Sequence, residues 1–216
     1  MKINILGGGI AGLASAIFLS KQGHEVTIVE RNDYINELGA GIQITPNALR
    51  VLDALGIRND FINLAEQSTS LSIRRAENSA LLQKVSMHRL VKDKKVGFYH
   101  LHRYKLLNLL KDNAIKNKVK IISNQYINKI IITKDNVRIF SNDIEYDSDI
   151  LIGADGLNSI SRKKLNEDYM PKYSGFCAFR TITTLDESVD KFLCEPNLFL
   201  QKNSCLLYTS DAADEE

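Results

Sequence analysis

The sequence predicts an α/β fold with a parallel sheet near the N-terminus and a β-meander further along. Three observations predict it. A short apolar run, residues 3 to 6, stops at Gly7-Gly8-Gly9 and gives way to apolar residues at helical spacing. A second apolar run at residues 26 to 29 follows, which is the strand–helix–strand order of a parallel sheet. Between residues 126 and 146, three apolar-polar segments are separated by Lys134-Asp135-Asn136 and Asn142-Asp143, turn-forming groups that read as a meander.

Taken in order, residues 3 to 6 form a buried strand and Ile10, Leu13, Ala14, Ile17 and Phe18 mark one face of a helix. Gly23 stands where a glycine stops such a helix. Thr45 as N-cap, Pro46 at the first helical position, and Ala48, Val51, Leu52 and Leu55 on one side describe a second helix, closed by Gly56. Residues 70 to 85 read as a hairpin broken at Ala76-Glu77-Asn78-Ser79. Leu106, Leu107, Leu109, Leu110 and Ala114 give a third helix that runs into a strand at residues 119 to 122. After the meander (126 to 133, 137 to 141 and 144 to 146), residues 150 to 152 form one more buried strand, ending in Gly153-Ala154-Asp155-Gly156.

With 216 residues, the chain exceeds a usual single domain of about 100–150 residues, so one large domain or one domain and part of another is expected. A formal charge of +2 is too small to call for nucleic acid or an acidic membrane as partner. Cys177, Cys194 and Cys205 are odd in number and outside any C-x-x-C, which argues against a disulfide framework or a zinc site and fits a reducing cytoplasm. No metal is expected. Asn4 and the glycines interrupt the only apolar stretch that approaches a membrane span, and they also break the signal-peptide reading that Ala14-Ser15-Ala16 invites.

Gly7-x-Gly9-x-x-Gly12 lies between strand and helix. The first glycine can make the tight turn, the second lets backbone approach a pyrophosphate, and the third lets helix meet strand. The helix N-terminus then faces the phosphates. Glu30 ends the second strand 18 residues beyond Gly12, where a carboxylate can accept hydrogen bonds from both ribose hydroxyls of an adenosine; a solvated strand-end glutamate is the alternative. Acidic character there disfavours an NADP 2′-phosphate, and Arg31 just beyond softens that exclusion. The fingerprint fits FAD and NAD alike.

Read together, GGGIAG, VER, LGAGIQITPNALRVLDALG, LHR and LIGADGLNSISR resemble the FAD-dependent aromatic hydroxylases of the salicylate and 6-hydroxynicotinate monooxygenase type. The resemblance covers roughly the first 180 residues, and Gly153 to Arg162 is its most specific part. It implies a Rossmann-like FAD-binding fold and the start of a β-sheet substrate domain. Residues 1–66 and 99–172 would bind FAD, and 67–98 with 173–204 would begin the substrate domain. By the same resemblance Gly7, Gly9 and Gly12 hold the pyrophosphate, Glu30 and Arg31 sit at the ribose, and Gly39, Ala40, Gly41 and Gln43 lie along the flavin ring. Some relatives carry a catalytic His at the position of Gln43, and an amide cannot serve as that base. The resemblance brings Arg103 to the flavin side, assigns Asp155 and Gly156 a contact shared by FAD and the reducing nicotinamide, with Arg162 supporting the aspartate, and sets Arg180 at the substrate sheet. His102 is expected in a core or capping role.

The implied chemistry belongs to the cofactor: NADH or NADPH reduces FAD, and one atom of O2 goes to an electron-rich ring of a small aromatic or heteroaromatic acid. An epoxidase, halogenase or reductase on the same scaffold is the neighbouring expectation, although a halogenase signature needs tryptophan and the chain has 0 Trp. A plain NAD-dependent dehydrogenase would leave Arg103 and Asp155-Gly156 unexplained. No Gly-Asp pair of the kind the family carries downstream is present. Residues 205–216 contain CLLYTSDAADE, which resembles the translation of a sequencing-library adapter. They are therefore expected to be a non-native tail on a fragment that is by itself an inert nucleotide-binding piece.

Overall fold

The structure, a computed structural model, describes residues 1–33, 41–87, 97–142, 144–175, 196–201 and 204–208. The chain forms two compact units, one of Met1–Leu38 and Leu107–Phe179, the other of Gly39–Leu106 and Arg180–Glu216.

The first unit is built on a parallel sheet. Strand β1 (Lys2–Leu6) lies at its centre, with β2 (Glu25–Val29) beside it. Register pairs Ile3 with Val26 and Leu6 with Val29. Helix α1 (Ile10–Lys21) crosses between the two strands and packs on both. It buries Gly12, Leu13, Ala16 and Ile17; of the expected face only Leu13 and Ile17 are among them, and Phe18 is exposed. Gly23 ends it: with φ +83 it adopts the left-handed conformation that costs a glycine nothing, and its N–H reaches the Ser20 carbonyl at 3.0 Å. Strand β8 (Lys120–Ile122) extends the sheet beyond β2, and β12 (Ile150–Gly153) closes its other side against β1, both in parallel register. The polar side chain in the middle of β1, Asn4, is 1% exposed.

A meander of β9 (Lys129–Ile132), β10 (Val137–Ser141) and β11 (Ile144–Ser148) follows, antiparallel throughout. Its inner residues Ile130 and Ile139 join Leu6, Val29 and Ile127 in one buried cluster, so the meander and the parallel sheet share a core. The strand expected from 126 to 133 is shorter at both ends: Tyr126 is exposed, and the Thr133 hydroxyl turns to the Asn136 carbonyl at 3.0 Å to begin the turn. Helix α5 (Ile160–Leu165) leaves the end of β12.

Among the described residues, the second unit holds two sheets. One is antiparallel, of β3 (Gly41–Ile44), β7 (Phe98–His102) and β4 (Glu66–Ser68), with β7 in the middle. Two helices follow β3, α2 (Pro46–Ala54) and α3 (Arg58–Ile62). Phe61 of α3 meets Tyr99 of β7 edge-on, with ring centroids 5.5 Å apart. Thr45 is the N-cap residue of α2, as expected, yet its hydroxyl donates to the Asn47 side chain rather than accepting from the helix. The other sheet orders β14 (Ser204–Tyr208), β13 (Asn197–Gln201), β5 (Ser70–Arg75) and β6 (Leu81–Ser86). The β5–β6 hairpin is the one that residues 70 to 85 predict. Strand β13 pairs with β5 in parallel and with β14 antiparallel. The segment expected to be non-native thus starts within a strand.

Helix α4 (Arg103–Lys116) is divided between the units after Leu106. It starts three residues ahead of the apolar pattern at Leu106, because His102 prepares its first turn: the Tyr104 N–H donates to His102 Nδ1 at 3.2 Å, the capping role expected of that histidine. The units also divide the chain differently from the expected cofactor and substrate parts, since residues 39–66 and 99–106 join the hairpin in the second unit.

Candidate functional site

In the first unit, the carboxyl ends of β1, β2 and β12 bring three sequence motifs together. The backbone after β1 turns at Gly7, whose φ is +100 and whose N–H donates to the Val29 carbonyl at 2.9 Å. A side chain at Gly7 would overlap the Ala154 carbonyl oxygen, and one at Gly12 would overlap the carbonyl oxygen of Gly7. Both glycines therefore serve close backbone approach within the fold. Gly9 differs. It is the N-cap of α1, contributes no side-chain cap, and a Cβ built on it meets no atom within 4 Å. Space is left in front of a helix end whose first N–H groups have no acceptor within the helix.

Glu30, half-buried at the end of β2, turns its carboxylate back onto this turn. Oε2 accepts the Gly8 N–H at 2.6 Å and Oε1 accepts the Asn32 N–H at 2.8 Å. The acidic residue singled out by its spacing is in direct contact with the glycine turn. Arg31 is exposed beside it.

The third motif follows β12. The Ala154 N–H donates to the Leu6 carbonyl at 2.8 Å, which ties the segment to β1. Asp155 then points its carboxylate into the turn that starts α5. Oδ1 accepts the hydroxyls of Ser159 and Ser161, each at 2.6 Å, and Oδ2 accepts the Ser161 N–H at 3.1 Å. Burial alone would raise the Asp155 pKa, but the two hydroxyls and the backbone N–H groups outweigh it and hold the group below its usual value. Gly156 follows with φ +74. The expected support of Asp155 by Arg162 is corrected here: the Arg162 guanidinium lies over the Tyr169 ring, 4.8 Å from its centroid, and the serines hold the aspartate.

A cleft of about 520 Å³ lies beside the third motif within the unit. Ala11 of α1, residues 153–156, Ser159 and Ser161 line it, and Ile130, Ile132 and Val137 of the meander supply an apolar wall. It joins the first turn of α1 to Asp155.

Of the remaining sequence-derived site residues, Gly41 and Gln43 lie on β3 and Arg103 starts α4, all in the second unit. Gly39, Ala40 and Arg180 lie outside the described residues. Sequence reasoning passed over His100. It lies directly across from Gln43 in the β3–β7 register, is 4% exposed, and its Nδ1 lies 2.6 Å from the Ser68 hydroxyl. Burial pushes its imidazole below the ordinary histidine value. A histidine alternating with apolar residues in FYHLH reads as one more strand position, so nothing in the sequence singled it out. Among the described residues no group of three or more His, Cys, Asp or Glu side chains could hold a metal ion, and no helix is long and apolar enough to cross a membrane.

Known proteins resemble this chain in sequence and fold. The chain is 30% identical over 193 residues to 3-hydroxybenzoate 6-hydroxylase of Klebsiella oxytoca, covering 88% of this chain and 48% of that protein. It is 27% identical over 184 residues to 6-hydroxynicotinate 3-monooxygenase of Pseudomonas fluorescens, covering 84% and 47%. The chain thus spans about half the length of these relatives. Among solved structures, p-nitrophenol 4-monooxygenase PnpA of Pseudomonas putida DLL-E4 superposes with a TM-score of 0.69 at 22% identity, over 76% of this chain and 43% of that one, a likeness of fold. The profile of the FAD binding domain family matches residues 1–204, and the chain belongs to that family.

Proposed function

We propose that this chain is the cofactor-binding part of an FAD-dependent monooxygenase that hydroxylates a small aromatic or heteroaromatic acid with NAD(P)H and O2. The observation that carries the proposal is the cleft in which Ala11, at the start of α1, and Asp155-Gly156, after β12, line one space. The first turn of α1, whose N-terminus is assigned to the phosphates, and the Asp155-Gly156 turn bordering one space suit a dinucleotide cofactor. The relatives whose names give an aromatic substrate, a hydroxybenzoate and a hydroxynicotinate, support the substrate class.

The residues fit the cofactor. The open space at Gly9 admits a pyrophosphate against the α1 N-terminus, where backbone N–H groups and the helix dipole favour negative charge. Gly7 and Gly12 close the turn around it. Glu30 offers acceptors to the ribose hydroxyls, exchanging or sharing the bond it now makes to the Gly8 N–H, and Arg31 stands beside it. Asp155 and Gly156 are assigned the contact shared by FAD and the reducing nicotinamide. Gly41, Gln43 and Arg103, from the second unit, are assigned to the flavin ring. Bound FAD supplies reduction by NAD(P)H and oxygen activation for insertion into the ring. The protein's own work is to bind and orient the cofactor, exclude water, and place donors where negative charge develops.

The test is direct. The polypeptide carried through to the length of its relatives is purified and assayed for bound flavin absorbance, and for oxygenated product from 3-hydroxybenzoate and 6-hydroxynicotinate with NADH or NADPH. Flavin binding with product formation is expected. A protein that binds ADP and no flavin would show instead a nucleotide-binding module of another kind.

A further inference from the structure

His102 joins two elements of the second unit with no loop between them. It is the last residue of β7, and α4 starts at the next position with Arg103. In the antiparallel register it stands opposite Gly41 of β3, and its Nδ1 accepts the Tyr104 N–H at 3.2 Å. Two residues assigned to the flavin ring are therefore its register partner, Gly41, and its covalent neighbour, Arg103. An imidazole that accepts through Nδ1 carries its proton on Nε2, so this cap is made by the neutral ring in one tautomer.

The first turn of α4 depends on such a cap. The first N–H groups of a helix have no acceptor within it, and positive charge at that end opposes the helix dipole. Arg103 and Lys105 both lie in this turn, with no acidic residue to offset them. Nor is the turn seated in the core: Arg103 and Lys105 are half-buried, Tyr104 is exposed, and the first buried residue of the helix is Leu106, 1% exposed. A cation at the first helical position works against helix stability, which points to a use for Arg103 outside the helix. Resting on the assignment of Arg103 to the flavin ring, we infer that His102 is a positioning residue for the cofactor. By capping α4 through Nδ1 it fixes the backbone at Arg103 between the β3–β7 register and a formed first turn, and so delivers the guanidinium to the flavin side. The imidazole acts through Arg103 and makes no contact with the cofactor of its own.

The experiment titrates FAD and ADP on the polypeptide carried through to the length of its relatives, comparing the parent with His102→Ala, His102→Asn, Arg103→Ala and the double variant His102→Ala/Arg103→Ala. ADP lacks the flavin and reads the adenosine half alone. His102→Ala should weaken FAD about fivefold, the loss expected of one N-cap, leave ADP affinity near the parent's and speed hydrogen exchange at the Tyr104 N–H. Asparagine is a strong N-cap, so His102→Asn should restore both FAD affinity and Tyr104 protection. With Arg103 already removed, loss of the cap should cost little further FAD affinity while still speeding exchange at Tyr104. Parent-like FAD affinity in His102→Ala overturns the inference, as does a parallel loss of FAD and ADP, which marks a cap that serves the fold alone. An undiminished further loss in the double variant overturns it too, and so does a His102→Asn protein that regains Tyr104 protection without FAD affinity. If Arg103→Ala binds FAD as tightly as the parent, the assignment of Arg103 to the flavin ring falls first and the inference with it.

Discussion

A methyl group at position 9 and a methyl group at position 12 should have different consequences. At Gly12 it meets the Gly7 carbonyl, so Gly12→Ala forces the α1–β1 turn apart at a cost of about 1–3 kcal/mol and takes nucleotide binding with it. At Gly9 it meets nothing in the chain, so Gly9→Ala should cost at most about 1 kcal/mol as an N-cap change, while filling space assigned to the pyrophosphate. Thermal melts with ADP titrations separate the two: a Gly9→Ala protein that binds ADP normally would take the phosphate out of that space. The glycine spacing was legible in the sequence because turn geometry depends on the backbone. What the turn leaves room for was not, since Gly7 is confined by Ala154, 147 positions further along the chain. His100 offers a pH test of the same kind. Its folded pKa lies below the ordinary 6.5 through burial, so the unfolded chain binds the proton more readily as pH drops. The stability it supports is present above about pH 6.5 and is lost as pH falls towards the folded value. His100→Gln should flatten that acid limb in urea melts between about pH 7 and 5, and an unchanged slope would place the titration elsewhere.

Among the elements, α5 shows how local chemistry and site geometry are joined. Its six residues, Ile160–Leu165, make too few internal bonds to stand alone, and none is buried. The turn depends on Ser159 capping the Arg162 N–H and on Asp155 gathering both serines. Ser159→Ala should therefore destabilise by about 1 kcal/mol through the cap and loosen Asp155 as well, whereas Ser161→Ala should affect chiefly the aspartate. Hydrogen exchange at Arg162 and Lys163 distinguishes them: fast exchange in Ser159→Ala and near-parent protection in Ser161→Ala is the expected pattern. Equal exchange in both would dissolve the division of labour. Elements of this kind escape periodicity, as does β3, whose GIQI is too short and too small to register as a strand and whose pairing is set by β7. By contrast β1 and β2 were legible because each is a continuous apolar run buried on both faces, as a parallel sheet requires, while the expected face of α1 holds only at Leu13 and Ile17. The motif around Asp155 was recognised by its residues, yet its support was assigned to Arg162. A long cation was the intuitive partner for a carboxylate, and the short hydroxyls at positions 159 and 161 reach it first because the chain folds back on itself there.

At the scale of the whole molecule, the residues assigned to the cofactor divide between two units. The glycine turn, Glu30 and Asp155 belong to the first, and Gly41, Gln43 and Arg103 to the second. Each unit has its own buried centre: Ile5 and Ile28 are 0% exposed in the first, Leu101 and Phe61 in the second. The residues proposed for the adenosine diphosphate half all lie in the first unit, so damage to the second centre should spare ADP. Leu101→Ala removes a fully buried side chain from β7, at about 2–5 kcal/mol, and should leave ADP binding near the parent's. Ile5→Ala, under the glycine turn, should weaken ADP and FAD together. Paired titrations of ADP and FAD on the two variants provide the check. A loss of ADP affinity in Leu101→Ala equal to that in Ile5→Ala would mean that the two units fold as one cooperative body, and the assignment of the adenosine half to the first unit alone would fall.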